Sequence, residues 1–308
     1  MSWPWRSPEA TRRGLTDRIR SRFSAEEVPR RMREVAYRRL LARLFASRPD
    51  AWVVKGGAAL LLRLDPNRTS NDIDIAYVEE AGEHAVALAA LRSDAALDLG
   101  DFFSFAVGEG QEDGDGQPTD RAWSAPVLAR IGQKEWTTFH VDLLLPPATV
   151  DAEILTAPTA LVGDETVDGI DGLVVLAIAP QLADKVCAMF ERHGAARLTS
   201  SRPRDLADIA MIAEQVDGID GDRLLAALRL EESRRLAAGS LDGPLPNHLR
   251  LDPGQERDWR QRWTKATRAA PITFEEAIEV AERLLGPALA NTIGGKHWSA
   301  ANQDWRLL

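Results

Sequence analysis

Cysteine is almost absent from this 308-residue chain, in which Cys187 is the single example. One cysteine excludes an internal disulfide framework and a zinc site built from several cysteines. Cys187 lies in an apolar stretch with helical character, and we expect it to be a thiol of the buried core.

Long apolar runs are absent as well, and this excludes a membrane-spanning helix, which needs about 18 or more consecutive apolar residues. The opening segment, MSWPWRSPEATRRG, lacks the apolar region of a secretory signal peptide. Together with the single cysteine, these absences favour a cytoplasmic protein with no membrane partner.

An overall excess of positive charge is also missing. The chain contains 38 Lys and Arg and 47 Asp and Glu, which gives a net charge of −9. This balance argues against a general nucleic-acid coat protein. The charge is uneven, however, because residues 11–48 contain twelve arginines and four acidic residues. Two interpretations stay open: a surface for a phosphate-rich partner, or the solvated face of an arginine-rich helix.

Apolar periodicity predicts an α+β fold, in which a mixed sheet with helices precedes a mainly α-helical C-terminal lobe. We expect three parts: an Arg-rich helical extension over 1–49, a mixed-sheet core over 50–165 and a helical lobe over 166–308. The helical pattern starts at about residue 170. The last stretch, NTIGGKHWSAANQDWRLL, has no clear period, and its two tryptophans are expected to dock onto the body.

Two carboxylates interrupt a stretch that otherwise reads as a buried strand. In NDIDIAY, Asp72 and Asp74 alternate with isoleucines. Residues two apart on a strand share a face, so the two carboxylates project together and repel each other. A divalent cation such as Mg²⁺ or Mn²⁺ would neutralise them. A plain structural role, with Asp72 as a cap or an edge-strand charge, stays open.

A third carboxylate, Asp142, is the one charge in the apolar run FHVDLLL. Burying a lone aspartate is costly unless it is paired or metal-bound. If this strand lies beside NDIDI, Asp142 completes a set of three carboxylates suited to two-metal phosphoryl transfer. A salt bridge to Arg130 is the alternative.

Two glycines, Gly56 and Gly57, follow Lys55 between an apolar strand and an apolar helix. A turn without β-carbons at a helix N-terminus lets backbone N–H groups approach phosphate oxygens. The segment is not a Walker A loop, because GxxxxGK[ST] is absent. A simple strand-to-helix turn is the other interpretation.

Four separated blocks occur in one order between about residues 50 and 215: KGGAALLLRL, RTSNDIDIAY, LADKVCAMFER and RPRDLADI. They resemble the motifs of the AbiEii/MenT group of toxin nucleotidyltransferases, within the DNA polymerase beta-like nucleotidyltransferase superfamily. One departure is mild: Arg204 stands where lysine is common.

The resemblance implies a bilobed, metal-dependent enzyme. Its N-lobe would hold Mg²⁺ (or Mn²⁺) and a nucleoside triphosphate, and its helical lobe would cover the triphosphate and offer a groove for RNA. Members transfer nucleotides, in several cases to the 3′ end of tRNA, and thereby stop translation. The expected partners are therefore an NTP, tRNA or another RNA acceptor, and a cognate antitoxin.

The resemblance also assigns expected roles to individual residues. The metal ligands are Asp72, Asp74 and, as third carboxylate, Asp142. The catalytic residues are Asp72, Asp74, Lys185 and Asp205, and the nucleotide-binding residues are Lys55, Gly56, Gly57, Ser70 and Lys185. The candidates for RNA or phosphate contact are Arg68, Arg202 and Arg204. Ser70 is also a candidate regulatory site, because a phosphate added there would repel the incoming triphosphate.

Alternatives remain at the level of both residue and function. Lys185 could be a surface lysine whose stem covers apolar surface, and Asp205 could simply stabilise the first turn of a helix. The rival functions are a small-molecule nucleotidyltransferase of antibiotic-resistance type, and a protein-modifying or non-catalytic nucleotide-binding protein.

Overall fold

The computed structural model describes residues 3–64, 72–78, 83–112, 123–144, 151–157, 170–267 and 272–307. They form two compact units, the first reaching Leu176 and the second starting at Ala177. The domain boundaries predicted after residues 49 and 165 stay predictions. Within the described ranges, every helix is too short or too polar to cross a membrane.

The first unit is built on a large mixed sheet. Its strands are β1 (Trp52–Lys55), β2 (Ile73–Tyr77), β3 (Phe103–Val107), β4 (Gln111–Glu112), β5 (Trp123–Ile131), β6 (Lys134–Leu144), β7 (Ala152–Ala157) and β8 (Ile170–Leu176). The order across the sheet is β3-β5-β6-β2-β1-β8-β7, with β4 paired to β5. The pairs β2–β6 and β1–β8 are parallel and the others antiparallel. The predicted mixed sheet is confirmed.

Helices cover one face of this sheet. They are α1 (Pro8–Arg22), α2 (Val28–Ser47), α3 (Gly56–Arg63) and α4 (His84–Ala95). Ile73 and Ile75 of β2 belong to the main core together with apolar side chains of α1, α2 and α4. Asp74, between them, is only half-buried. The alternation in NDIDI therefore separates a packed face from a polar one, as the strand pattern predicts.

For the part of the Arg-rich segment that lies on α2, four buried arginines correct both interpretations. Arg31 and Arg38 are buried and donate to Glu34 at 2.8 and 3.1 Å. Arg39 and Arg43 are buried and each donates to Asp101 at 2.6 Å. These four are neither a solvated face nor a free phosphate-binding surface, because each is buried and paired with a buried carboxylate, Glu34 or Asp101. The exposed arginines of the segment lie on α1: Arg13, Arg20 and Arg22.

The second unit is mainly helical, which confirms the predicted C-terminal lobe. Its helices are α5 (Ile178–Phe190), α6 (Pro203–Gln215), α7 (Gly221–Ala237), α8 (Pro253–Ala266) and α9 (Phe274–Leu289). Its short strands are β9 (Arg192–His193), β10 (Leu198–Thr199), β11 (Ile219–Asp220), β12 (Lys296–Ser299) and β13 (Asp304–Leu307). Helix α5 packs against α6 and α7, and Cys187 on α5 is fully buried. Burial raises the pKa of the Cys187 thiol, and the expected core thiol is confirmed.

The C-terminal stretch without a clear period is a hairpin of β12 and β13 that joins β11 in a three-stranded sheet. Trp298 and Trp305 are buried, and their indole N–H groups donate to the carbonyls of Ala213 and Leu284 at 2.8 and 2.9 Å. The expected docking of these two tryptophans is confirmed.

The helical pattern predicted from about residue 170 is wrong for its first turns. Residues 170–176 are strand β8, which pairs with β1 through Val54 and Val175 and with β7 on its other side. Helix α5 begins only at Ile178. A short apolar run is compatible with a buried strand as well as a buried helix, and here sheet pairing decides.

Candidate functional site

The turn between β1 and α3 brings the backbone of Gly56 close to the carboxylate of Asp74. Gly56 has φ of +56°, a conformation that favours glycine. A β-carbon built on Gly56 would lie 2.7 Å from the carboxyl carbon of Asp74, and closer still to one of its oxygens. Glycine is therefore required here for its backbone conformation and for the close approach of Asp74.

A row of polar residues crosses four strands beside this turn. Lys55 of β1 pairs in register with Asp74 of β2, Asp74 pairs with Asp142 of β6, and Asp142 pairs with Ser124 of β5. Side chains paired in this way project from the same face, on strands about 4.8 Å apart. All four residues are half-buried. The predicted neighbourhood of Asp74 and Asp142 is present, and Lys55 supplies a cation beside them.

The carboxylates of Asp72, Asp74 and Asp142 suit a magnesium ion whose remaining ligands are water and substrate. Asp72 directly precedes β2, and Asp74 and Asp142 lie side by side on adjacent strands. Within the described ranges, no group of three or more His, Cys, Asp or Glu side chains is arranged to hold a metal ion. Mg²⁺ is commonly held by one or two carboxylates plus waters and phosphates. A metal at Asp72 and Asp74, with Asp142 as third ligand, stays a prediction.

The second unit contains a buried cluster of opposite charges. The Lys185 ammonium on α5 donates to Asp205 Oδ1 at 3.0 Å and to Asp208 Oδ2 at 2.6 Å. The three residues are 7%, 9% and 6% exposed. Asp205 and Asp208 reach one lysine because residues three apart on a helix share a face. Lys185 is thus not a surface lysine, and the alternative interpretation for it is wrong.

One oxygen of this cluster lacks a donor. Asp205 Oδ2 is buried and has no hydrogen-bond partner in the part of the chain that the structure describes. A buried acceptor without a donor is costly, by roughly 1–3 kcal/mol. The cluster can therefore accept one further hydrogen bond, for example from a hydroxyl group. This capacity goes beyond the helix-dipole role that a first-turn aspartate could have.

The remaining predicted residues fall into two groups. Arg202 and Arg204 at the start of α6 are exposed, as a contact with a large anionic partner requires. Arg68 and Ser70 lie outside the described residues, so their predicted roles in phosphate contact, nucleotide binding and regulation stay predictions.

Ser124 is a member of the polar row that sequence reasoning missed. It stands in WSAP at the start of β5, and its sequence neighbours show no chemical pattern. Only the pairing register of β5 with β6 places its hydroxyl beside Asp142. A prediction of the β5–β6 hairpin without its register would not have identified Ser124.

Comparison with known families places the chain among toxins. The profile of a family described as nucleotidyl transferase AbiEii toxin, type IV TA system, matches residues 39–280. A sequence search of curated proteins found no significant match.

A solved structure shares the fold over most of the chain. MenT4, a nucleotidyltransferase toxin from Mycobacterium tuberculosis, matches with a TM-score of 0.55 and 18% identity, covering 91% of this chain and 98% of MenT4. JHP933 from Helicobacter pylori matches with a TM-score of 0.45 and 14% identity, covering 87% of this chain and 94% of JHP933. At these identities, the similarity to MenT4 establishes the fold alone.

Proposed function

The chain belongs to the AbiEii family of nucleotidyltransferase toxins of type IV toxin–antitoxin systems, and on this premise we propose that it transfers a nucleoside monophosphate to the 3′ end of tRNA. Nucleotidyl transfer and an antitoxin partner follow from the family. The metal dependence, the tRNA acceptor, the resulting block of translation and the cytoplasmic setting are the proposed parts.

The observation that carries the proposal is the polar row beside the glycine turn. Lys55, Asp74 and Asp142 project from one face of the sheet, and the backbone of Gly56 lies against the Asp74 carboxylate. A cation, two carboxylates and the N-terminal N–H groups of α3 are thereby concentrated at one end of β1. These are the groups that bind a metal–triphosphate complex.

In the proposed reaction, the 3′ oxygen of the RNA attacks the α-phosphorus of the NTP. A new P–O bond forms there, the bond to the β-phosphate breaks, pyrophosphate leaves, and the attacking hydroxyl gives up its proton to water. Asp72 and Asp74 would hold Mg²⁺, with Asp142 as third ligand, and the ion would offset phosphate charge and lower the pKa of the attacking hydroxyl.

Protein groups supply the positioning. Lys55 is proposed to contact the phosphates from the polar row, and the backbone N–H groups at Gly56 and Gly57 to cradle them. Lys185, held by Asp205 and Asp208, is proposed as a further nucleotide-binding and catalytic residue. Preorganised cations and dipoles of this kind stabilise developing charge without reorganising during the reaction.

The RNA acceptor is supported by exposed cations on an otherwise acidic chain. Arg202 and Arg204 at the start of α6 and the exposed arginines of α1 are accessible to a phosphate backbone. With a net charge of −9, binding would have to be confined to such local basic surfaces, since contacts with phosphates supply most of the affinity for RNA.

The test is labelling of total tRNA with each α-³²P NTP in the presence of Mg²⁺. We expect label with the wild type and a loss of at least about 100-fold in Asp74→Asn, which keeps the size of the side chain but removes a charge. Asp17→Asn, which removes an exposed carboxylate of α1, is the matched control and should label normally.

Two results would contradict the proposal. Full labelling by Asp74→Asn would show that the carboxylate row is not the site of transfer. Absence of label with every NTP, from wild-type protein shown to be folded, would exclude tRNA and favour a small-molecule or protein acceptor.

A further inference from the structure

The polar row continues one strand beyond Ser124. Gln111 of β4 pairs in register with Ser124 of β5, which in turn pairs with Asp142 of β6. Paired side chains project from the same face of a sheet, so the row crosses five strands from Lys55 to Gln111, a distance of about 19 Å. Ser124 is half-buried and Gln111 is exposed. The whole row belongs to the first unit.

The two ends of this row differ in chemistry. The Lys55 end carries a cation and lies next to the N-terminus of α3, which attracts anions. The other end carries the amide of Gln111 and the hydroxyl of Ser124, which are neutral and can donate as well as accept hydrogen bonds. Among the residues that the structure describes, neither of these two side chains has a hydrogen-bond partner. They are therefore available to a polar, uncharged group such as a sugar hydroxyl or the edge of a base.

A third side chain extends this neutral end. His140 stands two residues before Asp142 on β6 and pairs with Pro126, two residues after Ser124 on β5. Residues two apart on a strand share a face, so the imidazole projects from the same face as the polar row. His140 and Pro126 are both exposed. An exposed imidazole ring can stack on an unpaired base. Gln111, Ser124 and His140 are called the neutral platform below.

The geometry of the reaction relates this platform to the acceptor. In nucleotidyl transfer, the attacking oxygen and the leaving pyrophosphate lie roughly in line, on opposite sides of the phosphorus. The phosphates are proposed to bind at Lys55 and the glycine turn, so the pyrophosphate departs at that end of the row. The attacking oxygen then lies on the Asp142 side, where the neutral platform is.

We propose that the neutral platform binds the 3′-terminal nucleotide of the acceptor RNA, through hydrogen bonds from Ser124 and Gln111 to its sugar and base and through stacking of His140 on a base. This inference rests on the proposed nucleotidyl transfer with the phosphates at Lys55, and it names the residues that hold the acceptor. A single-stranded RNA end fits such a surface, because its unpaired bases can stack on side chains. The exposed arginines would add contacts with the phosphate backbone.

The test is equilibrium binding of two probes to the full chain in Mg²⁺. One is a 5′-fluorescein-labelled RNA oligonucleotide with the single-stranded 3′-terminal sequence of tRNA, and the other is a fluorescent, non-hydrolysable NTP analogue. Ser124→Ala and Gln111→Ala should each raise Kd for the RNA by about three- to ten-fold, as one lost hydrogen bond does. His140→Ala should raise it by about ten-fold through lost stacking. All three should bind the NTP analogue within about two-fold of the wild type.

The chain offers a matched control on the same sheet. Ser104 is an exposed serine of β3 that pairs with Arg130 near the other end of β5, about 20 Å from Ser124. Ser104→Ala removes the same hydroxyl and should bind both probes like the wild type. Lys55→Met is the converse variant: it should weaken binding of the NTP analogue by about ten-fold or more and leave RNA binding without NTP unchanged. Thermal unfolding of every variant measures any general loss of stability.

Each outcome decides the inference. An RNA Kd that is unchanged in Ser124→Ala and Gln111→Ala would overturn it, even if the wild type labels tRNA. Equal weakening of RNA and NTP binding, or weakening in Ser104→Ala as well, would also overturn it, because the effect would then be structural. So would failure of the wild type to bind the oligonucleotide. A wild type that binds RNA with the expected losses in the variants, but labels none, would contradict nucleotidyl transfer to tRNA and leave the binding role of the platform intact.

Discussion

Gly56 shows how much of the site depends on one residue without a side chain. Its positive φ and the approach of Asp74 both exclude a β-carbon. Alanine would cost about 1–2 kcal/mol in backbone strain and would displace the Asp74 carboxylate. The glycine pair was recognisable in the sequence, but its contact with Asp74 was not, because that contact depends on the pairing of β1 with β2.

We therefore predict that Gly56→Ala loses nucleotidyl transfer by about 100-fold, as expected for a catalytic group misplaced by an ångström. Gly100→Ala is the matched control, because Gly100 also has positive φ but has no atom near a built β-carbon. It should lose similar stability and keep its activity. Initial rates and unfolding midpoints of the two variants would show whether displacement of Asp74, rather than strain, is responsible.

In the second unit, Lys185 is a single residue on which much depends in the same way. The sequence motif identified Lys185 and Asp205 together, but their burial and the second carboxylate bond to Asp208 emerge only from the packing of α5 on α6. Removing the cation would leave two carboxylates buried without compensation. The lysine is therefore expected to be structural as well as catalytic.

Lys185→Met, which keeps an unbranched apolar stem, should destabilise the chain by roughly 3–5 kcal/mol in addition to abolishing activity. Urea denaturation measures the effect. Lys265→Met, at an exposed lysine of α8, should change stability by no more than about 0.5 kcal/mol. Unchanged stability of Lys185→Met would mean that the cluster is solvated in solution.

At the scale of elements, α2 joins the N-terminal segment to the sheet through buried ion pairs. Burial opposes ionisation of Asp101, but the hydrogen bond and charge of Arg43, with the charge of Arg39, outweigh it and hold the pKa of Asp101 below its usual range. A carboxyl group with a lowered folded-state pKa stabilises the fold above its unfolded pKa. That stabilisation is lost as the pH falls through the folded value.

Asp101→Asn should therefore destabilise the chain by about 3–5 kcal/mol at pH 7. The difference from the wild type should narrow below about pH 4, where the unfolded carboxyl group takes up its proton. Urea denaturation at a series of pH values tests this, with the exposed Asp98→Asn as control. A difference that is constant down to pH 3.5 would contradict the assigned role of Asp101.

Most elements of the sheet could be predicted because their signals are local. The apolar alternation of β2 and the glycines after β1 are readable in the sequence. Strand β8 was misread, because the apolar run before α5 contains no periodicity that separates strand from helix. The place of Ser124 in the polar row was out of reach, since strand register, which decides it, is set by contacts between distant segments.

At the scale of the whole molecule, the family match spans both units, from residue 39 to residue 280. The sequence motifs lead to the same family because they occur in both halves of the chain, with the carboxylates in the first unit and Lys185 with Asp205 in the second. Arrangement of the charges is harder to predict: four of the arginines near the N-terminus are buried in ion pairs with Glu34 and Asp101. Any RNA surface must therefore use the exposed arginines that remain.

The central claim, transfer of a nucleotide to the 3′ end of tRNA, is tested most directly by blocking that end. Total tRNA oxidised with periodate, which destroys its terminal 3′-hydroxyl, would be compared with untreated tRNA in the labelling reaction with Mg²⁺ and α-³²P NTP. We predict label on untreated tRNA and none on oxidised tRNA. Equal labelling of the two would contradict transfer to the 3′ end.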